Sequence, residues 1–204
     1  MNLLFASLRI LAGVAGLSAV IATLADTASR TPINPFNFFG YFTLQSNILA
    51  AIVLIVVAVV IFLGKKQSPA LILARGCVTA YVVIVGVVYN TLLVDTPGGG
   101  GVELEWANFV LHIAMPVYVA VDWIFFGDRP PLPWRRFWLV LGYPIVWLAV
   151  VLVRGATDGW VPYPFLSPTL GYGVVALYCV GIAVAIAVVG AAVWALSRVR
   201  ILKP

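Results

Sequence analysis

Six long apolar runs, separated by polar or glycine- and proline-rich segments, leave few folds open to this chain. They lie at residues 3–25, 41–63, 71–94, 106–126, 134–154 and 170–196. A helix needs about 20 apolar residues to cross a hydrocarbon core about 30 Å thick. The runs are continuous rather than alternating, which favours helices over a transmembrane barrel. The sequence therefore predicts an all-α polytopic membrane protein with six transmembrane helices.

The composition excludes a soluble domain. Only 9% of the 204 residues are charged and 63% are hydrophobic, whereas a soluble domain carries about 25% charged residues. The length suits one compact bundle over residues 1–204, so we expect a single domain. We interpret the net charge of +5 as a membrane feature rather than as a nucleic-acid-binding surface, because basic residues mark the cytoplasmic side of membrane proteins.

The distribution of basic residues predicts the orientation. Only Arg30 and Arg154 fall in the odd-numbered loops, and the other Lys and Arg residues fall at the termini and in the even-numbered loops: Arg9, Lys65, Lys66, Arg75, Arg129, Arg135, Arg136, Arg198, Arg200 and Lys203. The positive-inside rule then places both termini in the cytoplasm. The Ala-, Val- and Gly-rich composition and the short loops favour a bacterial plasma membrane. An alternative for the first run is a cleavable signal peptide, although this run is longer than the usual one.

The predicted topology brings polar side chains of different spans to similar depths near the outer face. Thr43 lies at the start of the second span. His112, the only histidine, lies six residues after the start of the fourth span, which is ~9 Å deeper at ~1.5 Å per residue. Asn47 and Asn108 each stand four residues from one of these two, so each pair shares a helix face. The outer half of the bundle can therefore hold a hydroxyl, an imidazole and two carboxamides around one cavity.

Further polar groups fall on the same side. Tyr89 and Asn90 end the third span there, and the outer loop at residues 158–166 carries Trp160 and Tyr163. The glycines at 98–101 lie outside too, and we expect them to form a flexible connection. Cysteines offer no further chemistry, because the two thiols stand alone in apolar runs and no Cys/His cluster indicates a metal site or a disulfide.

Each of these residues also has a structural interpretation. A membrane threonine commonly donates to the carbonyl one turn back or joins two helices. Asn47 and Asn108 could bond each other across a helix interface, and Trp106, Trp160 and Tyr163 could belong to the aromatic belt of the bilayer interface. An ionisable group inside a bilayer is rarer, and a functional role is its default interpretation.

Asp122 stands on the same span as the histidine but ten residues further on. At ~1.5 Å per residue it lies ~15 Å away, towards the cytoplasm. It therefore cannot orient the imidazole directly. We expect it to end the fourth helix at the inner interface.

Three motifs in sequence order resemble a known family. The stretch "YFTL" places Thr43 at the start of a span, "WANFVLH" joins Trp106, Asn108 and His112, and "GWVPYPFL" forms the loop at 159–166. Together they resemble the androgen-induced-gene family, which includes the androgen-dependent TFPI-regulating protein. These are six-span membrane proteins whose animal members are atypical threonine hydrolases of fatty acid esters of hydroxy fatty acids.

The resemblance implies that Thr43 is a nucleophile, that His112 is its general base and that no metal or cofactor takes part. A threonine hydroxyl is a weak nucleophile until a neighbouring base accepts its proton. The third member of a triad, if there is one, would be a backbone carbonyl or an acid from an outer loop. The substrate would be a lipid or fatty acid ester drawn from the bilayer. The candidates for substrate binding or for stabilising the oxyanion are Asn47, Asn108, Tyr89, Asn90, Trp106, Trp160 and Tyr163.

Two alternatives stay open on the sequence. The chain could be a membrane transporter, or a lipid-binding or sensory protein, whose outer cavity binds without catalysis. Against a transporter, no inverted repeat is visible and no charged residue is expected at mid-bilayer.

Overall fold

The computed structural model describes residues 1–96 and 100–202, and these residues form helices and connecting loops. Six helices are long and apolar enough to cross a bilayer, so the chain is a multi-pass membrane protein. We label them α1 to α6: Asn2–Arg30, Phe42–Phe62, Pro69–Leu93, Glu105–Phe125, Leu139–Thr157 and Tyr172–Leu196. The predicted all-α fold with six spans is confirmed.

The helix boundaries follow local signals more closely than hydropathy. Helix α1 continues to Arg30, five residues beyond the predicted apolar run, because no Gly or Pro lies between the end of that run and Pro32. Helix α3 starts where the Ser68 side chain accepts a hydrogen bond from the Leu71 N–H, with Pro69 at its first position. The predicted fifth span begins instead as a short 3₁₀ turn, Trp134–Arg136, which leads into α5.

Small residues allow the first helices to pack closely. Helix α1 lies along α2, and α3 contacts α2, α4 and α6. A Cβ atom on Gly13 would lie 2.7 Å from the Ile55 side chain, and one on Gly16 would lie 3.2 Å from Met115. Glycines at such contacts let membrane helices approach until their backbones nearly touch. The result is a tight core of α1 to α4.

Helices α5 and α6 are held more loosely. They are the least buried of the six spans, whereas α3 is the most buried. Pro144 lies inside α5, where it removes one backbone hydrogen bond of the helix. A side chain joins α5 to the segment just before α2, where the Trp147 indole N–H donates to the Gly40 carbonyl at 2.9 Å. This looser part of the bundle borders an apolar cavity.

A buried ion-pair cluster joins the helices at the end of the bundle that carries the chain termini, which we call the terminal end. Asp122 accepts hydrogen bonds from Arg9 Nε at 2.7 Å and from Arg75 Nη2 at 2.5 Å, and all three side chains are buried. Asp122 therefore lies one turn before the end of α4, as expected, and its side chain is buried inside the protein. The partners stand on α1 and α3, far away in sequence.

Asp128 completes the cluster. It accepts from Arg9 Nη1 at 2.5 Å and from Arg75 Nη1 at 2.8 Å. Burial alone would raise the pKa of Asp128, but the charges and hydrogen bonds of the two arginines hold it well below its usual range. Two carboxylates thus neutralise two guanidinium groups inside the protein. Removing one partner of such a buried set typically costs ~3–5 kcal/mol, because the remaining charge has no counterion.

Candidate active site

Thr43 and His112 meet at the opposite end of the bundle, which we call the site end. The Thr43 Oγ1 atom lies 3.3 Å from His112 Nε2. The side chains are buried, with 3% and 1% of their surfaces exposed. Catalytic hydrogen bonds are ~2.6–3.2 Å long and are often longer in a free enzyme. The structure therefore brings together the hydroxyl and the imidazole that the sequence placed at similar depths.

The start of α2 determines how the Thr43 backbone is placed. Helix α2 begins at Phe42 and its N-cap residue, Tyr41, makes no side-chain capping bond. The first backbone N–H groups of a helix have no partner within the helix, and the Thr43 N–H instead donates to the Tyr163 hydroxyl at 3.2 Å. Thr43 thus presents both its hydroxyl and its amide at the positive end of the helix dipole.

Tyr163 is the second side chain that contacts the Thr43 hydroxyl. Its own hydroxyl lies 3.3 Å from Thr43 Oγ1. Because the tyrosine oxygen already accepts the Thr43 amide, its proton is available for donation. Burial raises the pKa of Tyr163 to about 12, so this hydroxyl is neutral at physiological pH. The loop that carries it turns back into the protein at Pro164–Leu166.

The imidazole is held in an unusual stretch of helix. His112 lies in a π-helical turn, Val110–Ala114, within α4. The Tyr89 ring stacks on its face, with centroids 3.9 Å apart, and Tyr89 itself begins a second π turn, Tyr89–Leu93. Single π turns inside α-helices are rare and frequently occur at functional sites. Sequence reasoning did not detect either turn.

The far edge of the imidazole faces Asn108. His112 Nδ1 lies 2.5 Å from Asn108 Oδ1 and 3.2 Å from the Asn108 backbone oxygen. The Asn108 Nδ2 group donates to the Tyr89 hydroxyl at 2.5 Å. Asn108 and His112, which are predicted to share a helix face, are therefore in direct contact.

Two glycines cover the site. Gly100 has φ +85°, and a Cβ atom there would lie 2.9 Å from His112 Nε2. Gly101 has φ +70°, and its Cβ would lie 2.6 Å from the Tyr41 ring. Only glycine combines these backbone angles with such close contact. The predicted outer connection thus lies on the imidazole at Gly100 and on the Tyr41 ring at Gly101, while Gly98 and Gly99 lie outside the described residues.

A narrow apolar cavity of about 90 Å³ starts at Thr43 and Tyr163 and extends between α3, α5 and α6. Its lining on α6 runs from Cys179 to Ile186, which spans ~10 Å along a helix. Ile145 lines the cavity and is also 59% exposed on the outer surface of the protein. An exposed side chain thus borders the cavity, so the cavity lies next to the surface of the helix bundle.

The other predicted carboxamides do not bond the Thr43 hydroxyl. Asn47 Nδ2 donates to the backbone oxygens of Thr43 at 2.9 Å and Leu111 at 3.2 Å, which ties α2 to α4. Asn90 Nδ2 donates to the Gly86 carbonyl at 2.8 Å. Both Nδ2 groups therefore donate to helix backbones, and Asn47 does not bond Asn108.

The two predicted tryptophans lie away from the Thr43 hydroxyl. Trp106 is half exposed at the start of α4. Trp160 packs edge-on against Tyr41, and the Arg154 guanidinium lies 4.2 Å from the centre of its ring. These rings lie around the site and do not contact the Thr43–His112 pair. Their positions agree with the alternative of an interfacial aromatic belt.

No group of three or more His, Cys, Asp or Glu side chains in the described ranges, 1–96 and 100–202, could hold a metal ion. Comparison with family models, curated proteins and solved structures finds nothing that matches the chain. Its function is therefore inferred from the side chains at the site.

Proposed function

We propose that the protein is a membrane threonine hydrolase that cleaves lipid esters, with Thr43 as nucleophile and His112 as general base. The observation that supports this most is the 3.3 Å contact between Thr43 Oγ1 and His112 Nε2 at the end of an apolar cavity. A nucleophile in reach of a base, with the base oriented by a third group, is the usual arrangement for covalent catalysis. The neighbouring Ser46 hydroxyl, by contrast, donates to the Phe42 carbonyl of its own helix and contacts no base.

In the first step the Thr43 oxygen attacks the ester carbonyl carbon. His112 Nε2 accepts the hydroxyl proton as the new C–O bond forms, and the carbonyl electron pair moves onto its oxygen. When the tetrahedral intermediate collapses, the ester C–O bond breaks and the alcohol leaves with the proton from the imidazolium. In the second step water attacks the acyl-threonine, with His112 again as base, and releases the fatty acid.

The oxyanion needs donors close to Thr43. The Thr43 N–H and the Tyr163 O–H contact each other at 3.2 Å, so both groups lie beside the attacking atom. An oxyanion bound there would take the Thr43 N–H from the Tyr163 oxygen and accept a second hydrogen bond from the Tyr163 O–H, close to the positive end of the α2 dipole. Of the predicted donors, Tyr163 is the one whose geometry supports this role.

The cavity favours a lipid substrate. Its lining is almost wholly apolar, and burying each methylene group contributes about 0.8 kcal/mol. An acyl chain in the cavity would place its ester carbonyl at Thr43 and Tyr163. The family resemblance narrows this class to fatty acid esters of hydroxy fatty acids or related esters.

The proposed orientation places this chemistry at the outer leaflet. The site end is opposite to the chain termini, which the positive-inside rule assigns to the cytoplasm. The bacterial plasma membrane then remains the proposed location. Labelling of single cysteines introduced at positions 36 and 65 with a membrane-impermeant thiol reagent would test it, and reaction at position 65 alone in intact cells would contradict it.

Single-residue replacement tests the function. Thr43→Ala and His112→Ala should each abolish hydrolysis of a long-chain ester in proteoliposomes and labelling by a fluorophosphonate. Ser46→Ala is the matched control, since it removes a buried hydroxyl one turn away that donates to the Phe42 carbonyl. Thermal unfolding of each purified variant, followed by tryptophan fluorescence, shows that the fold is retained.

Full activity of Thr43→Ala would reject the assignment. Saturable lipid binding by wild-type protein without turnover would favour the alternative of a lipid-binding or sensory protein. Movement of the intact ester to the inner leaflet would favour a transporter.

A further inference from the structure

The contacts of His112 on the side that faces away from Thr43 indicate which ring nitrogen carries the hydrogen. His112 Nδ1 lies between two oxygens of one residue, Asn108 Oδ1 at 2.5 Å and the Asn108 backbone oxygen at 3.2 Å. A carbonyl oxygen can only accept a hydrogen bond. The backbone oxygen therefore favours a hydrogen on Nδ1 whichever way the side-chain amide is turned.

The other half of the Asn108 amide is also engaged. Its Nδ2 group donates to the Tyr89 hydroxyl at 2.5 Å, which keeps Oδ1 directed at the histidine. The Tyr89 ring lies 3.9 Å from the imidazole and nearly parallel to it. Tyr89 therefore limits rotation of the imidazole by stacking on its face, and the Tyr89 hydroxyl holds the Asn108 amide.

We propose that Asn108 is a positioning residue that fixes His112 as the Nδ1–H tautomer and so directs the Nε2 lone pair at the Thr43 hydroxyl. The inference rests on the proposed function and completes it as a Thr–His–Asn triad. In a neutral imidazole only one nitrogen carries a hydrogen, and the partner of the other nitrogen decides which one. Without Asn108 Oδ1 the ring retains only the longer contact to the backbone oxygen.

The inference refines the expectation of a dyad or of a triad completed by a backbone carbonyl or an outer-loop acid. The backbone carbonyl is present, and a neutral side chain of the same residue lies closer to Nδ1 than that carbonyl does. A carboxamide can orient an imidazole without placing a full charge in a low-dielectric site, where an unpaired carboxylate would be costly. Asn108 acts through His112 and does not touch the reacting ester.

The single histidine makes the tautomer directly measurable. Protein labelled with ¹⁵N-histidine and purified through a tag without histidine gives one pair of ring nitrogen resonances, whose positions distinguish the two tautomers. The wild-type protein should show a protonated Nδ1 and an unprotonated Nε2. Asn108→Ala should show exchange between tautomers. Asn108→Asp, which keeps an acceptor at the same position, should restore the wild-type pattern.

Kinetics provide the second readout. Asn108→Ala should lower kcat by roughly tenfold or more with KM little changed, because it removes an interaction needed for the chemical step. Asn108→Asp should recover most of kcat. Asn37→Ala is the matched control, because it removes a half-buried carboxamide at the same end that accepts from Arg154 Nη2 rather than contacting the imidazole.

Each outcome decides the inference. A protonated Nε2 in wild-type protein would overturn it even if no variant folds. An unchanged tautomer and an unchanged kcat in Asn108→Ala would also overturn it. The spectrum needs no substrate, so it stays informative if Thr43→Ala retains activity. In that case the proposed function fails, while the role of Asn108 in fixing the tautomer is still judged by the resonances.

Discussion

Replacing Tyr163 by phenylalanine isolates one hydroxyl at the site. The substitution keeps the ring, which stacks on Phe165 with centroids 5.3 Å apart, and removes the donor that lies 3.3 Å from Thr43 Oγ1. Loss of one oxyanion donor lowers kcat by ~10²–10³, which corresponds to ~2.7–4 kcal/mol. Since the ring still fills its place in the cavity wall, KM should change little.

The same substitution has a separate effect on stability. The Thr43 N–H loses the partner that it contacts at 3.2 Å, and a buried N–H without a partner costs ~1–3 kcal/mol. Turnover of a long-chain p-nitrophenyl ester, normalised to folded protein, separates the kinetic effect from the loss of stability. Tyr143→Phe is the control, because its hydroxyl donates to Gln45 rather than reaching Thr43.

Two results would refute the reasoning. Wild-type kcat in Tyr163→Phe, together with an inactive Thr43→Ala, would mean that the oxyanion is stabilised elsewhere. An equal loss of kcat in Tyr143→Phe would mean that the effect is not specific to the Tyr163 hydroxyl.

Gly100→Ala should reduce kcat strongly, because its Cβ would lie 2.9 Å from His112 Nε2 at a positive φ; Gly173→Ala, whose Cβ meets open space, should leave turnover unchanged. Lengthening the acyl chain should tighten binding by about 0.8 kcal/mol, roughly fourfold, per methylene until the cavity is full; KM measured over a series of chain lengths checks this, and no dependence on length would contradict it. Asp128, whose folded pKa is held below its usual value, contributes stability that is present above about pH 4 and lost as the pH falls through the folded pKa. The thermal midpoint should therefore fall on acidification in wild-type protein and less so in Asp128→Asn, and equal pH dependence in both would argue against this contribution.

The six spans and the similar depths of Thr43 and His112 could be predicted because both follow from local properties of the sequence. Apolar length gives the crossings, and the rise per residue of a helix places Thr43 and His112 near each other. Sequence spacing also put Asn108 on the same helix face as His112, since residues four positions apart are neighbours on the surface of an α-helix. The roles of these residues remain proposals for the experiments above to decide.

Contacts between distant segments could not be predicted in this way. Arg9 and Asp122 are 113 positions apart in sequence, and nothing in either local stretch indicates that they pair. The cavity depends on how loosely α5 packs, and the close approach of Gly100 to the imidazole depends on the path of a connection rather than on a pattern. The glycine run did carry a signal, since glycine is favoured where the backbone has a positive φ or approaches another group closely.

The position of the cavity beside the exposed Ile145 side chain affects how the proposed enzyme would encounter its substrate. This side chain is 59% exposed on a helix that spans the bilayer, so an ester would arrive by lateral diffusion among lipids rather than from water. The quantity that governs turnover is then the mole fraction of ester in the membrane. Adding inert lipid at a constant amount of ester and protein would slow the reaction, although the total ester concentration in the tube stays the same.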